Sequence, residues 1–167
     1  MSYYSKKVQK IREILKSNTY PTKYMPKKWK WLKVNCYSYA LDIPVNDPKK
    51  RIWIPGCISD ENEEPYIFNE ITERLKKDLD FLGISYREDN GEASLYNGEW
   101  RIAIYYRPTP HDWPIGFHIS RQDEDRIWSE KPSWKRDVQR IGEKSDKPYD
   151  LSEHNLHLET VLILSKK

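Results

Sequence analysis

Asn35-Cys36-Tyr37-Ser38-Tyr39-Ala40-Leu41 puts a cysteine where a helix would begin, and the rest of the chain reads as support for it. Asn35 is a good N-cap, because its side-chain oxygen can accept from free N–H groups of the first turn. Cys36 is then the first helical residue, and the helix should run to about Asp42. A cysteine at that place faces the positive end of the helix dipole and unpaired N–H groups, which favour thiolate over thiol. The same N–H groups can hold a developing oxyanion. The plainer reading of such a cysteine is a small buried hydrophobe.

What turns the cysteine into a candidate nucleophile lies some eighty residues on, in Gly116-Phe117-His118-Ile119-Ser120-Arg121-Gln122 and Arg126-Ile127-Trp128-Ser129-Glu130. Both runs read as strands of a hairpin, joined through Asp123-Glu124-Asp125. With those three residues as the loop, Gln122 faces Arg126, Ser120 faces Trp128, Ile119 faces Ser129 and His118 faces Glu130. Opposed residues share a sheet face, so Glu130 would sit beside His118. A carboxylate there accepts from one ring nitrogen and supports the imidazolium, leaving the other nitrogen to take a proton from a nucleophile. A half-exposed histidine in a routine cross-strand charge pair is the bland alternative.

The elements around these stretches follow from period and punctuation. Residues 3–17 put Val8, Ile11, Ile14 and Leu15 on one helical face, and Asn18 to Pro21 ends the helix. Residues 19–34 read as irregular, pinned by aromatic side chains including Trp29 and Trp31 packing inward. Pro44, Pro48 and Pro55-Gly56 mark a loop, with a short extended piece at Arg51–Ile54. Pro65 is expected to open the longest helix, with Ile67, Ile71, Leu75, Leu79 and Leu82 along one side and Gly83 as its C-terminal cap. Strands are predicted at Ile84–Glu88, Ala93–Tyr96, Glu99–Arg107 and Leu158–Ser165, and a helical turn over Lys135–Ile141. Helices first and then an antiparallel sheet predict an α+β fold with the helices on one face.

Length and composition bound the answer. At 167 residues the chain is most simply one domain, divided here into an N-terminal helix with an aromatic, basic extension (1–30) and a Cys-helix plus sheet core (31–167). Mean hydropathy is −0.93, yet seven Trp and twelve Tyr promise an aromatic-rich core. A net charge of +3 is too balanced to imply nucleic acid by itself. The Lys-rich stretch from Lys6 to Lys33, interleaved with aromatics, is either a solvated face or a grip for an anionic partner. Two cysteines make no disulfide framework, no apolar run approaches a membrane span, and no signal-peptide core is present, so a soluble cytoplasmic protein is expected.

The Asn35–Leu41 stretch, Pro55-Gly56, Phe117-His118 with Arg121-Gln122-Asp123, and Trp128-Ser129-Glu130-Lys131-Pro132 together resemble the papain-like cysteine hydrolase superfamily. More closely, they resemble small bacterial and phage domains of the NlpC type, over roughly residues 30–135. The resemblance implies a papain-like (NlpC-type) fold in which a Cys opens a helix packed on an antiparallel sheet. It implies acyl transfer with Cys36 as nucleophile, His118 as base and then acid, and Glu130 as orienter. Relatives of this pattern often carry another polar residue, such as His, at the position of Glu130. The Cys36 N–H would supply half of an oxyanion hole; Asn35 and Tyr24 are candidates for the remainder. His111 is a candidate for the substrate groove, and Gln122 is a weaker third residue, on the His118 face but far along the strand.

Cys57 reads as structural, a Cys36–Cys57 disulfide is unsupported in a cytosolic setting, and His154 with His157 lacks the ligand spacing of a zinc site. No metal or cofactor is implied. The resulting expectation is a peptidase or amidase acting on a peptide or protein. By family analogy the substrate is cell-wall peptide, and a host protein modified by a phage or effector protein fits equally. The alternative is a catalytically inactive papain-like scaffold that binds protein or nucleic acid as an inhibitor, through its Lys/Trp-rich N-terminal third.

Overall fold

The computed structural model describes residues 1–17, 23–49, 51–67, 69–110 and 113–166. Its helices are α1 (Tyr3–Ser17), α2 (Pro26–Trp29), α3 (Cys36–Ala40) and α4 (Ile71–Leu82). Its strands are β1 (Ile84–Glu88), β2 (Glu99–Arg107), β3 (Gly116–Gln122), β4 (Trp128–Glu130), β5 (Gln139–Ile141) and β6 (His157–Lys166). The fold is α+β, and the strands form one antiparallel sheet in the order β1-β6-β2-β3-β4-β5.

Alternation along the strands divides the sheet into two faces. Trp100, Ile102 and Ile104 of β2, Ile119 of β3, and Leu162 and Leu164 of β6 pack with Ile11, Tyr37, Tyr39, Ile71, Leu75 and Leu79 from the helices. Burying each Leu or Ile of that layer is worth about 1.5–3 kcal/mol. The opposite face carries a smaller cluster, Ala103, Tyr105, Trp128 and Val161, covered by Leu151. Two buried polar groups tie the helices to this frame. Asp78 of α4 accepts from Tyr37 Oη (2.6 Å), the Gly56 N–H (2.8 Å) and the Ser59 N–H and hydroxyl (both 2.7 Å). Arg121 of β3 lies over the Tyr39 ring (4.2 Å) and donates to the Tyr39 hydroxyl (3.1 Å) and to Asp123 (3.2 Å).

Several expectations need correction. The longest described helix after α1 begins at Ile71, not at Pro65, because Glu70 stands in the left-handed region (φ 62) and breaks the helical path behind it. Ala93–Tyr96 is no strand; β1 pairs with β6 instead, and the Ala93 carbonyl accepts from Arg101. Lys135–Ile141 is not a helical turn, since Gln139–Ile141 is an edge strand beside β4. Arg51–Ile54 is a run of turns rather than an extended piece. Trp29 is buried, but Trp31 is 84% exposed rather than packed inward. Within 19–34, which reads as irregular, Pro26–Trp29 forms a helical turn. The helix stop at Asn18–Pro21 lies outside the described residues.

The hairpin between β3 and β4 also differs from the expected register. The Arg126 N–H donates to the Asp123 carbonyl (2.9 Å), Arg126 is left-handed (φ 67), and the Asp123 N–H donates to the Ile127 carbonyl (3.0 Å). The loop is therefore Glu124-Asp125-Arg126, a turn followed by a left-handed bulge residue. Gln122 faces Trp128 and Arg121 faces Ser129. Moving the loop by one residue shifts the pairing by two. A shift of two preserves the face, whereas a shift of one would have reversed it.

Candidate active site

Asn35 opens α3 as its sequence context suggests. Its Oδ1 accepts from the Tyr37 N–H (3.1 Å) and the Ser38 N–H (3.4 Å), and its Nδ2 donates to the Trp53 carbonyl (2.7 Å). Both ends of the side-chain amide are thereby engaged in building the helix end, and the residue lines the same pocket as Cys36. The helix is shorter than expected, ending at Ala40, with Leu41 as its cap and Asp42 left-handed. Among the described residues nothing accepts from the N–H of Cys36, which is 5% exposed.

His118 sits near the start of β3 on the face of Tyr105, whose ring centroid lies 6.1 Å away. Its Nε2 is 2.5 Å from Glu130 Oε2. The other Glu130 oxygen accepts from Gln139 Nε2 (2.7 Å), so both are occupied. The shift of two in the hairpin makes His118 and Glu130 diagonal rather than opposed, still within reach of each other. Cys36 acts on the same imidazole, favouring its protonated form alongside Glu130. Burial alone would lower the His118 pKa. The hydrogen bonds and charges of Cys36 and Glu130 outweigh it and raise the value to about 10. Burial pulls the Glu130 carboxyl up, but the His118 and Gln139 hydrogen bonds and the His118 charge bring it below the usual range. The result is a buried chain from imidazole to carboxylate to amide, with the Cys36 thiol acting on the imidazole.

Two pockets flank this chain and share Gly116, Phe117 and Pro132. The one holding Cys36, about 410 Å³, has an apolar wall that includes Ile54, Tyr66, Ile115 and Trp134. The one holding His118 and Glu130, about 430 Å³, is lined by Arg107, Arg136, Gln139 and His154. A larger cavity of about 700 Å³ around Arg101, Gln122 and Asp146 contains none of Cys36, His118 or Glu130. The smaller pair is the one lined by the cysteine, the histidine and the carboxylate.

The remaining sequence candidates fall elsewhere. Gln122 shares the His118 face but is bound to Arg101 (2.9 Å) and to the Ser145 carbonyl (2.7 Å). Tyr24 donates to the Val138 carbonyl (3.4 Å) beneath Arg140 and lines neither pocket. His111 lies outside the described residues. Cys57 is buried and unpaired, with its thiol pushed up to about 11 by burial. Among the described residues no three His, Cys, Asp or Glu side chains gather to hold a metal.

Residues that the sequence did not single out complete the site. Gln139 reaches Glu130 only because β5 is a strand. Lys131 is buried, and its Nζ donates to the carbonyls of Ser133 and Arg136 (both 2.8 Å). Burial lowers the Lys131 pKa against the opposing charges of Asp137 and Cys36. This clamp shapes a loop that offers Trp134 to one pocket and Arg136 to the other. Comparison with protein-family models, curated proteins and solved structures returned no match. No described helix is long and apolar enough to cross a membrane.

Proposed function

We propose that the protein is a papain-like cysteine hydrolase, a peptidase or amidase of the cytoplasm acting on a peptide or protein. The observation that carries this reading is the buried His118 imidazole, held by Glu130 at 2.5 Å and flanked by two pockets, one lined by Cys36 and the other by His118 itself, with Cys36 and Glu130 both favouring its protonated form. His118 takes the Cys36 proton, and the sulfur attacks the carbonyl carbon. The imidazolium, supported by Glu130, then protonates the departing amine. The Cys36 N–H is the oxyanion donor we assign, since the Asn35 cap satisfies its neighbours and, among the described residues, nothing accepts from it.

The test is alkylation by iodoacetamide at pH 6, read by mass spectrometry at Cys36. An ordinary thiol is only about 0.3% thiolate there. Pairing with His118 should make Cys36 react about a hundredfold faster in the native protein than in the His118→Ala variant. Equal rates in the two proteins would sink the hydrolase reading.

One observation favours a second, non-enzymatic reading. Trp31 is exposed, with the Lys30 ammonium 5.3 Å from its ring, in the Lys-rich N-terminal third. An exposed indole among lysines suits an anionic partner such as single-stranded nucleic acid. Affinity for an oligonucleotide that falls steeply with salt and with Trp31→Ala would support it.

A further inference from the structure

We propose that the pocket beyond His118 binds a carboxylate carried on the leaving-amine side of the substrate. This rests on the hydrolase reading above. In that reaction the carbonyl carbon bonds to the Cys36 sulfur and the carbon–nitrogen bond breaks. The proton on His118 passes to the departing nitrogen. Water then attacks the thioester and gives a proton to His118. The acid leaves, and the sulfur recovers its proton. The acyl part stays on Cys36 throughout, so its substituent belongs in the pocket that Cys36 lines, where the wall is Ile54, Tyr66, Ile115 and Trp134. The amine receives its proton from His118, so its substituent belongs in the pocket that His118 lines.

That second pocket has an excess of uncommitted positive charge. Arg107 and Arg136 line it, with His154 beside them. Its one lining carboxylate, Glu130, already has an oxygen on His118 and an oxygen on Gln139. Among the described residues, neither guanidinium has a hydrogen-bond or ion-pair partner. The backbone around each is defined. Arg107 ends β2, with its Cβ 3.3 Å from where a Gly116 side chain would begin, so any larger residue there would displace it. Arg136 is presented by the loop whose carbonyls Lys131 clamps. Planar guanidinium groups match a carboxylate with two parallel hydrogen bonds, which a lysine cannot do. The ligand is thus an acidic residue or a free chain terminus on the amine side, following an apolar residue on the acyl side.

Calorimetry with the Cys36→Ala protein, which binds without turnover, tests this. The probes are three N-acetylated tripeptide amides with leucine and phenylalanine followed by glutamate, glutamine or lysine. The glutamate peptide should bind about tenfold more tightly than the glutamine peptide, as one charge-assisted pair implies. The lysine peptide should bind most weakly. In the Arg107→Gln/Arg136→Gln background, whose changes are at exposed residues, the three affinities should fall within about twofold of each other. The same order should appear as protection of Cys36 from iodoacetamide in the native protein. Equal affinities for glutamate and glutamine peptides, or a preference that survives loss of both arginines, would overturn the proposal. The calorimetric series does not depend on thiol reactivity. A slow Cys36 therefore removes the hydrolase reading, whereas absent discrimination removes only the anion pocket.

Discussion

A buried imidazole that keeps its proton to about pH 10 must be stabilised from more than one side. Cys36 and Glu130 do this together, and the sign of each shift fixes how the pair responds to pH. The raised His118 value means its contribution to stability is full below its ordinary 6.5 and is lost as pH climbs through about 10. The lowered Glu130 value means its contribution is present above the ordinary 4.5 and is lost as pH falls through the depressed value. The urea midpoint of the native protein should therefore exceed that of Glu130→Gln most between pH 4.5 and 6.5, and the gap should close toward pH 10. In the same variant, NMR of the ring should show His118 losing its proton about one unit or more lower, the usual effect of removing a close opposite charge. A His118 titration unmoved by Glu130→Gln would show that the carboxylate does not support the imidazolium. At this scale the main residues are legible in sequence, because the Asn35 cap and the parity of a strand are local rules. Gln139, Lys131, Arg107 and Arg136 are not, because each acts through a partner that only the sheet brings near.

Short elements position the site, and they are where sequence reasoning is weakest. α3 has only five residues, so it is held by its ends and its packing rather than by its own ladder. Asn35 fastens one end, the Trp100 indole donates to the Ala40 carbonyl at the other (3.0 Å), and Asp78 grips Tyr37 between them. Replacing Asn35 with Ala should cost about 1–2 kcal/mol in urea unfolding, since a cap is lost and the Trp53 carbonyl loses its donor. Native-state reactivity of Cys36 in Asn35→Ala should fall no further than that loss of order explains. A large drop in reactivity at unchanged stability would instead return Asn35 to the oxyanion role. The elements with long periodic patterns, α1, β2 and β6, match their expected spans closely. Those that miss do so for local physical reasons. Glu70 adopts a conformation its residue type does not advertise, and β5 becomes a strand only through its pairing with β4.

At the scale of the molecule, α+β with helices over one sheet face is readable from the order of periods, but the strand order is not. β6, the final strand in sequence, lies between β1 and β2 rather than at an edge, and no local pattern encodes that choice. Its Leu162 and Leu164 meet the helices in the main core, so Leu162→Ala should cost about 2–5 kcal/mol. Cys36 should then lose its selective reactivity at the same urea concentration that unfolds the sheet. Separate transitions would show that the site stands on a smaller unit than the whole sheet. The placement of β6 also bears on synthesis. When Cys36, His118 and Glu130 have all been translated, β1 and β2 still lack the strand that joins them. A ribosome carrying the first 150 residues therefore holds Cys36, His118 and Glu130 but not the strand that joins β1 to β2, which is complete only when residues 157–166 emerge.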